Sequence, residues 1–238
     1  MTVVTATSDA VSVTTTDAVT IVTLDDGKAN AFTHEIIDAV RQALRDAEER
    51  GGAMVLAGRP GRFSAGFDLS VMTAGPDAAM PLLAAGAEMA FEIFMSRIPV
   101  VVACTGHALA MGAIVLMAAD TRIGADGAFK IGMNEVRIGM PIPHFAMGLA
   151  RDRLSSRYFV PAIQHAMVFD PTGAIDAGYL DQTVAPDDVL DASVAHATEL
   201  ATNLSRGAFQ MTRDIMRGPV AEQLRAGLAT DMASASFG

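Results

Sequence analysis

The stretch IPVVVACTGHALAMGAIVLMAAD, Ile98 to Asp120, carries no formal charge between Arg97 and Asp120. Its length suits a membrane-crossing helix, since roughly 20 apolar residues span a bilayer. Its punctuation does not. Pro99, Thr105, Gly106, His107 and Gly112 interrupt it; the part before Gly106 is β-branched, and the part after Gly112 reads as helix. No second span and no basic flank accompanies it. The segment is expected to fold as a buried strand, a glycine-flanked turn and a buried helix.

The same unit recurs on either side. VSVTTTD and VTIVTLDD read as two strands separated by a turn near Thr16 to Ala18. Thr33 is an N-cap candidate, with Phe32 placed to staple onto Ile37, and Ile36, Ile37, Val40 and Leu44 form an apolar stripe. Ala53 to Gly58 is a short strand, and Ala78 to Arg97 has the three- and four-residue spacing of an amphipathic helix. Strand-like pieces follow at Thr121 to Ile123 and Phe129 to Ile131, then helices from about Phe145. From Asp187 to Met232 the pattern is helical, with Gly207 and the Gly218–Pro219 pair expected to divide it into three helices. This divides the chain into an α/β core, 1–186, and a helical region, 187–238, with too little core of its own to stand alone.

Composition bounds the function. A chain of 238 residues supports one large core. With 51% hydrophobic and 18% charged residues, the surface is poorly charged for a lone monomer, so an oligomer is expected. The N-terminus lacks the pattern of a signal peptide, and the single Cys104 precludes an internal disulfide framework; both fit a reducing cytoplasm. A net charge of −10 argues against nucleic acid or an anionic membrane as partner. An anionic ligand must then be held by local groups.

Several familiar motifs fail on spacing. His34 and Glu35 begin a zinc helix, but Asp38 stands where the second histidine is needed, and no metal is expected. Around Ser64, Gly61 is one residue too far away for a nucleophile elbow. GRPGRFSAGFD has neither a dinucleotide fingerprint nor a P-loop lysine. Cys104 reads as a small core residue. What remains is RFSAGFDLS, 62–70, and GHALAMGAIVLMAAD, 106–120. Each follows a strand and places a small-residue turn where a helix begins. Helix starts carry unpaired N–H groups and a positive dipole end, so two of them facing one site can hold an oxygen that is becoming negative.

SAGFDLS, GHALAMGA about forty residues on, and NEVRIGMPIP after that resemble the crotonase superfamily, the enoyl-CoA hydratase and isomerase group. The likeness extends from DDGKANAF to the helical tail. It implies a crotonase-like spiral of β-β-α units, trimers or dimers of trimers assembled through the C-terminal helices, and an acyl-CoA thioester of fatty-acid metabolism as substrate, with coenzyme A part of the substrate and no separate cofactor. Position by position, it implies that the N–H groups of Phe67 and Met111 form the oxyanion hole, with Ala110 and Gly112 as alternative donors because the family usually has glycine where Met111 stands. Lys28, Ala65, Asp68 and Leu69 are implied to line the coenzyme A path, and Arg59 and Arg62 are near enough in sequence to answer its phosphates.

Hydratases of the group use two glutamates. Glu135 matches the second, whereas Ile114 stands at the place of the first, and an aliphatic side chain cannot activate water. Isomerases, which shuttle one proton, can work with a single glutamate. The expected reaction is therefore double-bond isomerisation with Glu135 as base in a pocket dried by Ile114, Met133 and Met140; hydration, or a silent acyl-CoA-binding protein, is the alternative. His144 is a possible second acid or base facing the acyl pocket, and His107 reads as structural.

Overall fold

A computed structural model describes residues 3–234. The chain opens as an antiparallel meander of β1 (Val3–Ser8), β2 (Val11–Thr15) and β3 (Val19–Leu24). From there it winds in β-β-α turns. β4 (Ala31–Phe32) leads into α1 (His34–Arg50). β5 (Ala53–Gly58), β6 (Gly61–Ser64) and the short β7 (Gly66–Phe67) lead into α2 (Leu69–Met72) and α3 (Pro76–Phe94). β8 (Val100–Cys104) and β9 (Gly106–Leu109) lead into α4 (Met111–Ala118). β10 (Thr121–Ala125) and β11 (Ile131–Gly132) lead into a 3-10 turn, Glu135–Ile138, and α5 (His144–Arg153). α6 (Phe159–Ile163), α7 (Pro171–Ala177), β12 (Gln182–Val184), α8 (Val189–Asn203) and α9 (Arg206–Ser234) follow.

Three sheets sort the strands. A seven-stranded sheet runs β1-β2-β3-β5-β8-β10-β12, parallel from β3 onward. A three-stranded parallel sheet runs β11-β9-β6, and β4 pairs with β7. Each turn of the spiral thus gives one strand to the large sheet, one to a small sheet, and then a helix.

The charge-free stretch is explained by where this places it. β8 lies between β5 and β10 with every residue buried, and every residue of α4 is buried as well. Parallel strands covered on both faces read as continuous apolar runs. The expected turn after Cys104 is instead a second strand, β9, which leaves the large sheet at once. Gly106 allows this, because a Cβ there would stand 2.0 Å from the carbonyl carbon of Gly61. Among the described residues no helix is long and apolar enough to cross a membrane.

Strand alternation builds two cores. On β5, Met54 and Leu56 face one core with Phe32, Ile37, Phe94 and Leu116; Val55 and Ala57 face another with Val101, Ile123, Val189 and Ala197 under α8. α1 starts as expected: the Thr33 hydroxyl accepts from the Ile36 N–H at 3.2 Å, and Phe32 and Ile37 are both buried. α9 departs from expectation. The break falls at Leu204–Ser205, and the helix continues unbroken through Gly218–Pro219. Tertiary packing on both sides of Pro219 outweighs the helix-internal proline, which costs about 3 kcal/mol. Before it, Arg213 and Arg217 converge on Asp120, with Arg217 at 2.7 Å. After it, Ala221 and Leu224 are buried and Asp231 receives the start of α5.

Candidate active site

The first turn is bolted down by its own side chains. The Ser64 hydroxyl donates to the Asn30 carbonyl at 2.7 Å and accepts from the Gly66 N–H at 3.1 Å, which explains Ser64 without nucleophilic chemistry. Asn30, with φ 51°, donates to the carbonyls of Leu24 and Phe63. Asp68 then caps α2, accepting from the Ser70 N–H at 2.8 Å. In this way β7 presents Gly66 and Phe67 just before a helix begins.

The second turn is strained. Ala110 has φ 49° and ψ −121°, a conformation that L residues avoid. Its N–H donates to the Gly132 carbonyl at 3.1 Å, so this alternative donor is already engaged. The Met111 N–H is the first of α4 and meets no acceptor among the described residues. The two turns lie against one another: a Cβ on Gly66 would stand 2.7 Å from the Ala110 Cβ and 3.2 Å from the Met111 nitrogen. Gly112 is buried behind them, with the Ser64 carbonyl oxygen 2.7 Å from where its Cβ would be.

A cavity of about 120 Å³ opens beside this pair, lined by Ala65, Phe67, Ala110, Ile114, Asn134 and Glu135 among others. It continues into a groove of about 550 Å³ along Met72, Pro76, Ala79 and Met80, sharing Leu69, Met72, Ile138 and Met140 with the cavity. Glu135 is the one titratable side chain on the cavity wall among the described residues. It is 8% exposed, and burial pushes its carboxyl up from 4.5 to about 7. Desolvation disfavours the charged form, and a carboxylate so perturbed holds a proton near neutrality.

The structure gathers most of the expected residues. Phe67, Ala65, Leu69, Ile114 and Glu135 share the cavity; the Met111 side chain is buried beneath it while its amide faces Gly66. Met140 lines the cavity, and Met133 is buried outside its wall. Lys28 and Asp68 line a separate groove of about 500 Å³ with Asp26, Thr33 and Ser70. Arg59 donates to the Lys28 carbonyl and faces Asp25 at 3.8 Å, so it shapes that loop. His107 accepts the Lys130 N–H at 2.9 Å, and Arg62 lies in register with it on β6.

His144 is a correction. Rather than facing the cavity, its side chain is 62% exposed and its Nδ1 lies 2.7 Å from Asp231, because Asp231 caps α5 and draws the first residue of that helix to itself. Its neighbour Pro143 reaches the wall instead. Sequence reasoning missed the strain at Ala110 and a buried tyrosine, Tyr179, whose environment includes Glu135. Neither leaves a local signal, since alanine and tyrosine carry no pattern that marks strain or a distant partner.

Residues 14–236 match the family model for enoyl-CoA hydratase/isomerase. The chain is 28% identical over 195 residues to human mitochondrial enoyl-CoA delta isomerase 1, covering 81% of this chain and 64% of that protein, so it spans less than two thirds of that relative. It superposes on an enoyl-CoA hydratase/isomerase family protein from Pseudomonas syringae with a TM-score of 0.94 and 39% identity, over 97% of this chain and 100% of that one. A Mycobacterium tuberculosis chain, 35% identical, superposes with TM-scores of 0.90 and 0.91 over 94–95% of this chain and 96–98% of that one; it is described both as an enoyl-CoA isomerase and as a probable enoyl-CoA hydratase. With the β-β-α spiral, the paired turns and a match over nearly its whole length, the chain belongs to the enoyl-CoA hydratase/isomerase family.

Proposed function

We propose that the protein is an enoyl-CoA isomerase in which Glu135 carries one proton between the α and γ carbons of a thioester. The observation that carries this reading is the cavity wall: one carboxylate, Glu135, with Ile114 at the place where a hydratase has its water-activating glutamate. In the reaction, the thioester carbonyl oxygen accepts hydrogen bonds from the Phe67 and Met111 N–H groups. Glu135 takes a proton from the α carbon, the electron pair moves onto that oxygen as an enolate, and the double bond shifts from the 3,4 to the 2,3 position as Glu135 returns the proton to the γ carbon. No water is added and no charge is left over. A donor aimed at such an oxyanion is worth roughly 3–4 kcal/mol. A base held near pH 7 suits both halves of the transfer.

The apolar groove beyond Met140 supports an acyl tail, and the groove beside Lys28 and Asp68 supports the nucleotide end of coenzyme A. Coenzyme A then belongs to the substrate, and no separate cofactor takes part. On α9, Met211, Ile215 and Met216 stand 69%, 78% and 62% exposed; this apolar face supports assembly into trimers or dimers of trimers through the C-terminal helices. A single buried cysteine, Cys104, supports a reducing compartment such as the cytoplasm.

Supplying 3-enoyl-CoA and, separately, 2-enoyl-CoA tests the reaction. Conversion of the first to the second, lost in Glu135→Gln, is the expected result. Glu135-dependent hydration of 2-enoyl-CoA without isomerisation would make the protein a hydratase. Tight binding with no exchange of the α proton in heavy water would make it a silent acyl-CoA carrier.

A further inference from the structure

Among the described residues, three buried polar atoms near the cavity, Asn134 Oδ1, Glu135 Oε2 and the Tyr179 hydroxyl, are left over by the mechanism. Glu135 Oε2 and the Tyr179 hydroxyl both lie out of solvent, and neither reaches a hydrogen-bond partner among the described residues. Tyr179 is among the largest fully buried side chains of the protein, with its ring 6.0 Å from that of Phe169. Phe169 exchanges two backbone hydrogen bonds of 2.9 Å with Ile131. Tyr179 is thereby held near β11, the strand that runs directly into Met133, Asn134 and Glu135. The Met133 amide approaches the hydroxyl oxygen, and the charge of Glu135 is felt there.

A buried phenol ordinarily finds a partner, and leaving one unmet is costly. Phenylalanine would fill the same space without that cost, so the hydroxyl has a task. We propose that Tyr179 is a positioning residue for Glu135, its hydroxyl supplying the hydrogen bond that Oε2 otherwise lacks and holding the carboxylate toward the cavity. The contact is made by a small side-chain rotation or through one buried water, and in both cases the phenol is the donor and the charged carboxylate the acceptor. The Met133 N–H behind the oxygen polarises the O–H further. Among the described residues no other charged side chain lines the cavity: burial and a backbone amide are what shape Glu135, its apolar neighbours on the wall include Ile114, Ile138 and Met140, and Arg137 on the same 3-10 turn is exposed.

The role rests on Glu135 being the base of the proposed reaction, but its test does not need turnover. Tyr179→Phe keeps the ring and removes the donor. Carbon-13 NMR of glutamate-labelled protein, with Glu135→Gln to assign the signal, follows the Glu135 titration directly. In Tyr179→Phe the charged form loses its donor, so Glu135 is expected to titrate about one pH unit higher, equivalent to about a tenfold change in the ionisation constant. The acidic limb of the pH–rate profile moves up with it, lowering kcat about tenfold below neutrality with KM unchanged. An unchanged Glu135 titration in folded Tyr179→Phe overturns the proposal.

If that variant does not fold, the chain's two tyrosines, Tyr158 and Tyr179, allow the same coupling to be read in the unaltered protein. The ring-carbon signal of Tyr179 then follows the Glu135 titration and is flat in Glu135→Gln; a flat signal in both rejects the contact. A shifted titration in a protein without isomerase activity overturns the reaction and leaves the contact standing.

Discussion

Replacing Gly66 by alanine perturbs both turns of the site with one methyl group. Gly66 has φ +99°, and its added Cβ would stand 2.7 Å from the Ala110 Cβ, 3.1 Å from the Leu109 carbonyl oxygen and 3.2 Å from the Met111 nitrogen. The left-handed backbone costs an alanine roughly 1–2 kcal/mol. Overpacking against atoms that are mostly backbone, on a turn already strained at Ala110, adds about 1–3 kcal/mol. Together the loss of stability is roughly 2–5 kcal/mol, which for a domain of this size lowers Tm by roughly 4–20 °C. Relief of the clash moves Ala110–Met111 away from Gly66–Phe67, so under the proposed mechanism at least one of the two amide donors leaves its position, and kcat is expected to fall about 10²–10³-fold.

The control is Gly61→Ala. Gly61 also has positive φ, +80°, but a Cβ there meets nothing within 4 Å. It therefore reports the backbone term alone, about 1–2 kcal/mol, with turnover unchanged. Thermal unfolding and steady-state kinetics on both variants separate the two effects. A Gly66→Ala protein with full kcat refutes the claim that the two turns converge on one carbonyl.

Glu135→Gln is expected to stabilise the protein at alkaline pH. The folded carboxyl is raised to about 7 from 4.5, so the folded state binds more protons between those values and stability falls as pH rises through them. Above pH 7 the variant should gain up to roughly 3 kcal/mol, closing to nothing near pH 4.5; urea melts that show no pH-dependent difference refute the burial. Asp120→Ala leaves the buried Arg213 and Arg217 without their carboxylate and should cost about 3–5 kcal/mol, seen as a lower urea midpoint and faster proteolysis of α9. Cys104, whose thiol burial pushes up to about 12, should resist thiol reagents in the folded protein and react once unfolded; rapid labelling in native buffer contradicts its place in β8.

Local chemistry made much of this protein legible. Thr33 announces α1 because a hydroxyl before an apolar stripe has a donor to satisfy, and the structure supplies it at Ile36. The β-branched run before Gly106 announces a doubly covered strand because only a parallel strand between neighbours hides every side chain. Glu135 stood out as the carboxylate matching the family pattern, and Ile114 as the position where a second was missing. What the linear order hid is set by elements far apart in sequence. Pro219 promises a break that packing of α9 on Asp120 and α5 overrides, and His144 reads as a pocket residue until Asp231, 87 residues on, claims its ring. The strain at Ala110, the contact of Gly66 with Met111 and the buried phenol near Glu135 arise the same way: each depends on where the spiral brings two loops together, and a side chain's identity carries no record of the neighbour that will meet it.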